Sequence, residues 1–281
     1  MLNTAVLRLE QRLFRYSNSL PYISGDGFRH ITEKFQRTSV SRISEMTLRD
    51  IHFIKSEDLE LTLGFLSKST RETVLLVGNS DQNFYSIPAD IPSCVKRIYL
   101  QNSFISDQKL IRTLPIGVEN RRHSMNGKPK FLRSTIPFSE KENAVLIGPF
   151  GNTHASRDAL SRFRTSKNIS VHTKRLNPKE FAMLAASFKF VACPRGNGVD
   201  THRVWETLYR GSIPIVIDDE WSRSLDYLGL PILRVSDWGK EEVEACIERH
   251  STSSISKPAD DKFLWIDAWK DLLLKDLTDS C

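Results

Sequence analysis

The sequence predicts an α/β protein with two halves, each carrying its own parallel sheet. Three observations lead there. Short, apolar, β-type runs alternate with segments of helical apolar spacing along the 281 residues. The clearest runs are continuously apolar and stop abruptly in glycine or polar residues, as strands buried on both faces do. Hydrophobic residues make up 40% and charged residues 26%, a globular mixture that excludes a disordered or fibrous chain. At about 100–150 residues per domain, two domains fit the length.

Charge and cysteine usage narrow the class. Lys and Arg number 40 against 34 for Asp and Glu, a net +6 that suits anionic ligands such as phosphates but does not mark a nucleic-acid binder. No apolar run approaches the ~18–20 residues of a membrane span. Arg8, Glu10 and Arg12 interrupt any leader-like core. Cys94, Cys193, Cys246 and Cys281 are far apart and form no C-x-x-C pair, so neither a zinc site nor a disulfide framework is expected. A reduced, soluble, cytoplasmic chain follows as the expectation.

Leu2, Val6, Leu9 and Leu13 give a helical spacing over residues 2–16. Tyr22 to Phe28 reads as a strand end breaking into the glycine-rich turn Ser24-Gly25-Asp26-Gly27, with a helix from Phe28 through Ile31 to Phe35. The run Thr73-Val74-Leu75-Leu76-Val77 is a strand that ends in Gly78-Asn79-Ser80-Asp81. Val95–Leu100 and Leu114–Val118 are predicted as two more strands, ending at Gln101-Asn102 and Glu119-Asn120. These elements make a first domain over 1–120. Residues 121–142 are basic (Arg121, Arg122, Lys128, Lys130, Arg133), lack periodicity and read as a linker or loop.

A second domain over 143–262 restarts with a strand at Ala144–Ile147 running into Gly148-Pro149-Phe150-Gly151. A helix is predicted from about Arg157 and another over Pro178–Ser187. Strands are predicted at Phe188–Cys193, Ile213–Ile217 and Ile232–Val235. The aromatic-rich 263–281 segment reads as a terminal helix.

The densest signal is Cys193-Pro194-Arg195-Gly196-Asn197-Gly198-Val199-Asp200-Thr201-His202-Arg203-Val204-Trp205-Glu206. It describes a strand end, a glycine loop and a helix, with Asp200 or Thr201 as the cap and Gly211 as the stop. Ligands of parallel sheets bind outside the carboxyl ends of the strands, where this loop must lie. Gly196 and Gly198 admit a close approach to backbone, the helix N-terminus favours phosphate, and Arg195 and Arg203 bring planar donors. Glu206, one turn in, can accept the hydroxyls of a ribose. The residue types together describe a nucleoside diphosphate site, to which Asn197, Gly148 and Arg157 can add donors. Arg203 and Glu206 could alternatively form an i,i+3 surface pair.

Residues 188–216 (FKFVACPRGNGVDTHRVWETLYRGSIPIV) resemble the carboxyl-terminal donor-binding region of exostosin-like glycosyltransferases, with weaker support from Leu114–Asn120. The resemblance implies two Rossmann-like domains facing a cleft, the GT-B architecture. The nucleotide-sugar would sit in the second domain and the acceptor against the first, with the terminal helix crossing back to brace the first domain. At 281 residues the sequence is shorter than the animal exostosins, and a chain without their anchor and second transferase domain is the expectation. That implies a compact single-transfer enzyme of bacterial or viral type, in the latter case working in the host cytoplasm. A UDP-sugar, with UDP-xylose one possibility, and a glycan acceptor are the implied substrates. A GDP-sugar (fucosyl-type) transferase and a non-catalytic nucleotide-sugar or nucleic-acid-binding module are the alternatives.

No Asp-x-Asp pair occurs, so no metal clamp is expected; Asp218-Asp219-Glu220 reads as a solvated turn. Leaving-group charge then falls to Arg195, Arg203 and the helix dipole. Inversion needs a base for the acceptor hydroxyl. Asp26, between two glycines, is the first candidate; Asp81, Glu119 and, behind them, His123 follow.

Overall fold

Two separate parallel sheets organise the chain in the computed structural model, which describes residues 19–36, 50–105, 109–121, 128–133, 136–251 and 261–278. The first contains β1 (Ile51–Lys55), β2 (Thr73–Gly78), β3 (Val95–Leu100) and β4 (Ile111–Thr113), side by side in chain order and all parallel. The second contains β5 (Glu142–Ile147), β6 (Ile169–Val171), β7 (Phe188–Ala192), β8 (Ile213–Ile217) and β9 (Leu233–Val235) in the spatial order β6-β5-β7-β8-β9, again all parallel. Every residue of β2 is buried, which is why its sequence is continuously apolar rather than alternating.

Eight helices are described: α1 (Gly25–Gln36), α2 (Leu59–Leu66), α3 (Ala155–Ser161), α4 (Pro178–Ala186), α5 (His202–Tyr209), α6 (Glu220–Ser224), α7 (Lys240–Ser251) and α8 (Ile266–Thr278). Their ends follow local chemistry. Asn177 and Glu180 close a reciprocal capping box on α4, with Pro178 in the first turn. Asp219 and Ser222 do the same for α6, so the acidic turn 218–220 serves as a helix cap. Gly211 follows α5 at φ +68, the left-handed stop expected of it.

Successive residues of β2 point to opposite faces and enter different cores. Val74 and Leu76 join Tyr99, Leu146, Val191, Trp205, Trp221 and Trp269 in one cluster shared by both sheets. Leu75 and Val77 pack with Ile98, Leu100 and the α2 residues Leu59 and Leu63. The far face of the second sheet packs Ile147, Phe190 and Ile215 against Leu160, Val243 and Ile247.

Two charged groups fasten the helices to this frame. Asp276 of α8 accepts from Tyr99 Oη at 2.5 Å and pairs with Arg97 and Arg112 at 3.2 and 3.0 Å, holding α8 on the first sheet. Lys141 donates to the carbonyls of Ala186 and Arg210, where α4 and α5 end. Burial, with Arg210 nearby, pushes its ammonium down to about 8, while the carbonyls of two helix C-termini accept its hydrogen bonds.

The structure corrects several expected elements. β1 and α2 were not anticipated. The last strand of the first sheet is Ile111–Thr113, not Leu114–Val118. Pro115 lacks an N–H for a ladder, and Gly117, at φ +66, makes only a single antiparallel bridge to Ser24. Helix α1 begins at Gly25, so the glycine-rich turn before Phe28 is its first turn. The segment 121–142 contains short 3-10 turns at Pro129–Phe131 and Phe138–Glu140, and β5 already starts at Glu142. The predicted helix over 2–16, His123 and Cys281 lie outside the described residues. Among those residues no helix is long and apolar enough to cross a membrane.

Candidate anion site at the strand ends

The order of the second sheet reverses at β5: β6 lies on one side of it, and β7, β8 and β9 follow on the other. Such a switch point leaves a crevice outside the carboxyl ends of the two central strands. Two turns border it, Gly148-Pro149-Phe150 after β5 and the 193–201 loop after β7. Gly148 takes φ +79, and a Cβ there would stand 2.3 Å from the His172 carbonyl oxygen, so only glycine fits.

Three guanidinium groups gather at this crevice. Arg157, from α3, donates through Nε to the Arg195 carbonyl at 2.9 Å and through Nη1 to the Gly151 carbonyl at 3.4 Å. Arg203, from α5, donates through Nη2 to the Pro149 carbonyl at 2.7 Å. Its guanidinium carbon lies 4.7 Å from the Phe150 ring centre and 4.8 Å from that of Phe181, held against two aromatic faces. Arg195 turns back on its own loop, Nη2 donating to the Asn197 carbonyl at 3.3 Å. Gly196 lies close against Arg157, with room for a Cβ only 3.0 Å from Nη2.

The donors of this group are incompletely used. Among the described residues, Arg195 Nε, Arg203 Nη1 and Thr201 Oγ1 are buried without a hydrogen-bond partner, as is Trp221 Nε1 elsewhere. A buried unpaired donor costs roughly 1–3 kcal/mol, so a cluster of three in one loop and helix tip calls for an explanation. Charge crowding adds to it. Burial, with Arg157 and Arg210 nearby, presses Arg203 down to about 10. Burial also lowers Arg157, and burial together with Arg195 and Arg157 lowers His154, the cap of α3. Cys193, behind the loop, is driven up to about 12 by burial, which makes its thiol inert. An anion would relieve both deficits, satisfying the donors and neutralising the cations.

The other loop residues face inward. Thr201 occupies the cap position of α5 but its side chain makes no capping bond, and Asp200 does not cap either. Asp200 instead accepts from Trp205 Nε1 and from the Ile116 N–H, each at 2.8 Å. Burial pushes its carboxyl up to about 7 against the pull of these donors. Glu206 is paired with Arg210 through Oε2, with both Nη atoms at 3.3 Å, rather than with Arg203.

The loop is also stitched to the first sheet. Asp200 N–H donates to Asn102 Oδ1 at 2.9 Å, Val199 N–H to Asn83 Oδ1 at 3.1 Å, and Asn197 Nδ2 to Asp81 Oδ2 at 3.1 Å. Gly198 presses on Asn102, 2.7 Å from where its Cβ would be. Asp26 is buried in an amide cluster: Asn79 Nδ2 donates to its carboxylate at 3.2 Å, and its N–H donates to Asn120 Oδ1 at 2.8 Å. Glu119 is half-buried and its carbonyl accepts from Ser19 Oγ at 3.4 Å. Arg157, Arg195, Gly196, Arg203 and Gly148 thus share the crevice, with Thr201 and Glu206 on the adjoining helix. Asp200 is turned into the core, Asp26 lies in the amide cluster, and Asp81 braces the loop from outside.

Sequence reasoning missed the aromatic faces at Phe150 and Phe181, the amides Asn79, Asn102 and Asn120, and His202. The last lies half-buried with Nδ1 2.8 Å from the Gly117 carbonyl oxygen. A cavity of about 740 Å³ beside α2, lined by Glu57, Glu60, Leu63, Gln82 and Phe84 among others, includes none of the three arginines. Unpaired polar atoms, not volume, single out the crevice. Among the described residues no group of three or more His, Cys, Asp or Glu is placed to hold a metal ion. No family model matches the chain.

Proposed function

We propose that the chain is a glycosyltransferase that binds a nucleoside diphosphate-sugar, a UDP-sugar first, at the β5–β7 crevice and passes the sugar to a glycan with inversion. One observation carries the binding half of this reading: Arg195, Arg203 and Thr201 present buried, unpartnered polar atoms together at a topological switch point. A diphosphate supplies acceptor oxygens and negative charge in one group. The transfer half rests on the likeness of residues 188–216 to exostosin-like enzymes. In this reading the two sheets belong to two Rossmann-like domains of a GT-B enzyme at work in the cytoplasm, with the acceptor held against the first. Arg195, Arg203, Arg157 and the tip of α5 take up the charge of the departing diphosphate, and no metal clamp is needed.

Thermal shift against UDP, GDP, CDP and individual UDP-sugars tests this. A ligand that binds only the folded chain stabilises it by about 2.7 kcal/mol at a hundred times its Kd. UDP should raise the midpoint in wild type and not in Arg203→Ala, and EDTA should leave both the shift and any transfer unchanged. A response to GDP alone would move the assignment to the fucosyl type. Salt-dependent DNA binding with no nucleotide response would replace the enzyme by a binding module.

A further inference from the structure

Resting on that reading, we propose that His202, not a carboxylate, takes the proton of the attacking hydroxyl, and that the Gly117 carbonyl sets its tautomer. The α-helix turns about 100° per residue, which puts Glu206 about 40° and Arg203 about 100° around the axis of α5 from His202. All three residues therefore lie within about 100° of one another around the start of α5. Their orientations differ in a useful way. Arg203 reaches Pro149 at the end of β5, in the second sheet, whereas His202 reaches Gly117, beyond β4 of the first. A sugar whose diphosphate is held on the arginine side would extend past the start of α5 toward the imidazole, and inversion then requires the acceptor hydroxyl to enter from the His202 side.

The tautomer follows from elementary hydrogen bonding. A carbonyl oxygen only accepts, so the nitrogen 2.8 Å from it, Nδ1, carries the proton in the neutral ring and Nε2 keeps its lone pair. Nε2 has no hydrogen-bond partner among the described residues. The carbonyl that imposes this is itself fixed. Gly117 bridges Ser24, Val118 N–H donates to the Ile23 carbonyl at 2.9 Å, and a Cβ on Gly117 would stand 2.2 Å from that same oxygen. Asp26 is placed differently: it is 3% exposed, in the first turn of α1, and its carboxylate is engaged by Asn79. It anchors the start of α1, and a bulky acceptor would have to displace that cluster to reach it.

The step balances. The acceptor O–H bond breaks and its proton goes to Nε2. The oxygen's electron pair forms the bond to the anomeric carbon as the bond from that carbon to the diphosphate oxygen breaks. The pair left on the diphosphate adds one negative charge beside Arg195 and Arg203. The imidazolium then returns its proton to water.

Donor hydrolysis, with water as the acceptor, reads this without knowledge of the glycan. UDP release from UDP-xylose, UDP-galactose, UDP-glucuronate and UDP-N-acetylglucosamine is measured for wild type, His202→Ala, His202→Gln and Asp26→Asn, with UDP affinity measured in parallel by calorimetry. Loss of a positioned base costs about 10²–10⁴-fold in rate. His202→Ala should lose at least a hundredfold in turnover, keep its UDP Kd within about threefold, and regain part of the rate with added imidazole. His202→Gln should be as slow and melt like wild type. Asp26→Asn, which keeps an acceptor oxygen for Asn79, should turn over within a few-fold of wild type. Near-normal hydrolysis by His202→Ala overturns the assignment, as does a rate loss confined to Asp26→Asn. UDP binding without hydrolysis of any donor by wild type also overturns it and leaves the nucleotide site intact. Absence of UDP binding removes that site itself.

Discussion

The carboxyl edges of the two sheets share a parallel α/β construction and differ in chemistry. On the first, the turns after β2, β3 and β4 carry neutral amides: Asn79, Gln101, Asn102 and Asn120. They satisfy one another, with Gln101 Oε1 accepting from Asn79 N–H at 2.9 Å and Asn120 Nδ2 donating to Asn79 Oδ1 at 3.0 Å. Both Asn79 and Asn102 stand at positive φ, 58 and 55, a conformation asparagine tolerates better than most residues. On the second, the same positions are bordered by Arg157, Arg195 and Arg203, and unpaired donors remain. A closed amide lattice makes a scaffold. A cationic edge with spare donors makes the candidate site.

The largest blow to this contrast should come at Asp200, where the two edges meet. Asp200→Ala removes the acceptor of the buried Trp205 Nε1 and of the half-buried Ile116 N–H, and leaving both donors unpaired should cost on the order of 3 kcal/mol in urea unfolding. A fall below about 1 kcal/mol would mean that the amide edge holds the loop without it. On the cationic side, Arg203→Ala should weaken UDP binding about 10–100-fold, the worth of one or two charge-assisted hydrogen bonds, with little change in melting. Arg203→Lys should fall between the two, because an ammonium cannot replace the flat guanidinium between Phe150 and Phe181.

A pH series sharpens the comparison further. Burial raises the Asp200 carboxyl from 3.8 to about 7, so between those values the folded chain keeps a proton that the unfolded chain has released. Its contribution to stability is therefore fully present below about pH 4 and is lost as pH rises toward 7. The unfolding free energy of wild type, taken relative to Asp200→Asn, should fall across that window by about 1.4 kcal/mol per unit of the pKa difference. A flat difference would show that the N–H donors balance burial, and a drift of opposite sign that they outweigh it. The smallest effect belongs to the outermost stitch: Asp81→Ala removes an exposed contact to Asn197 and should change stability by at most about 0.5 kcal/mol.

The two edges were not equally legible in the sequence. β2 and the β7–α5 loop stood out because each concentrates its signal locally, an unbroken apolar run in one and glycines with arginines in the other. β1, with His52 and Lys55 among its five residues, has no such run, and α2 carries Gly64 in its interior. Leu114 and Val118 are buried by packing against distant elements, not by a ladder, so their apolarity imitated a strand. His202 was unreadable for the same reason: its partner lies 85 residues away. Nor could spacing show that Glu206 would choose Arg210 over Arg203.

The hydrogen bonds that the Val199 and Asp200 N–H groups donate to Asn83 and Asn102 have a mechanical meaning. They tether the cationic loop to the opposite sheet, so the loop cannot shift with its own sheet alone. Prying the two sheets apart would have to break these bonds or drag the loop, one wall of the crevice, away from its own sheet.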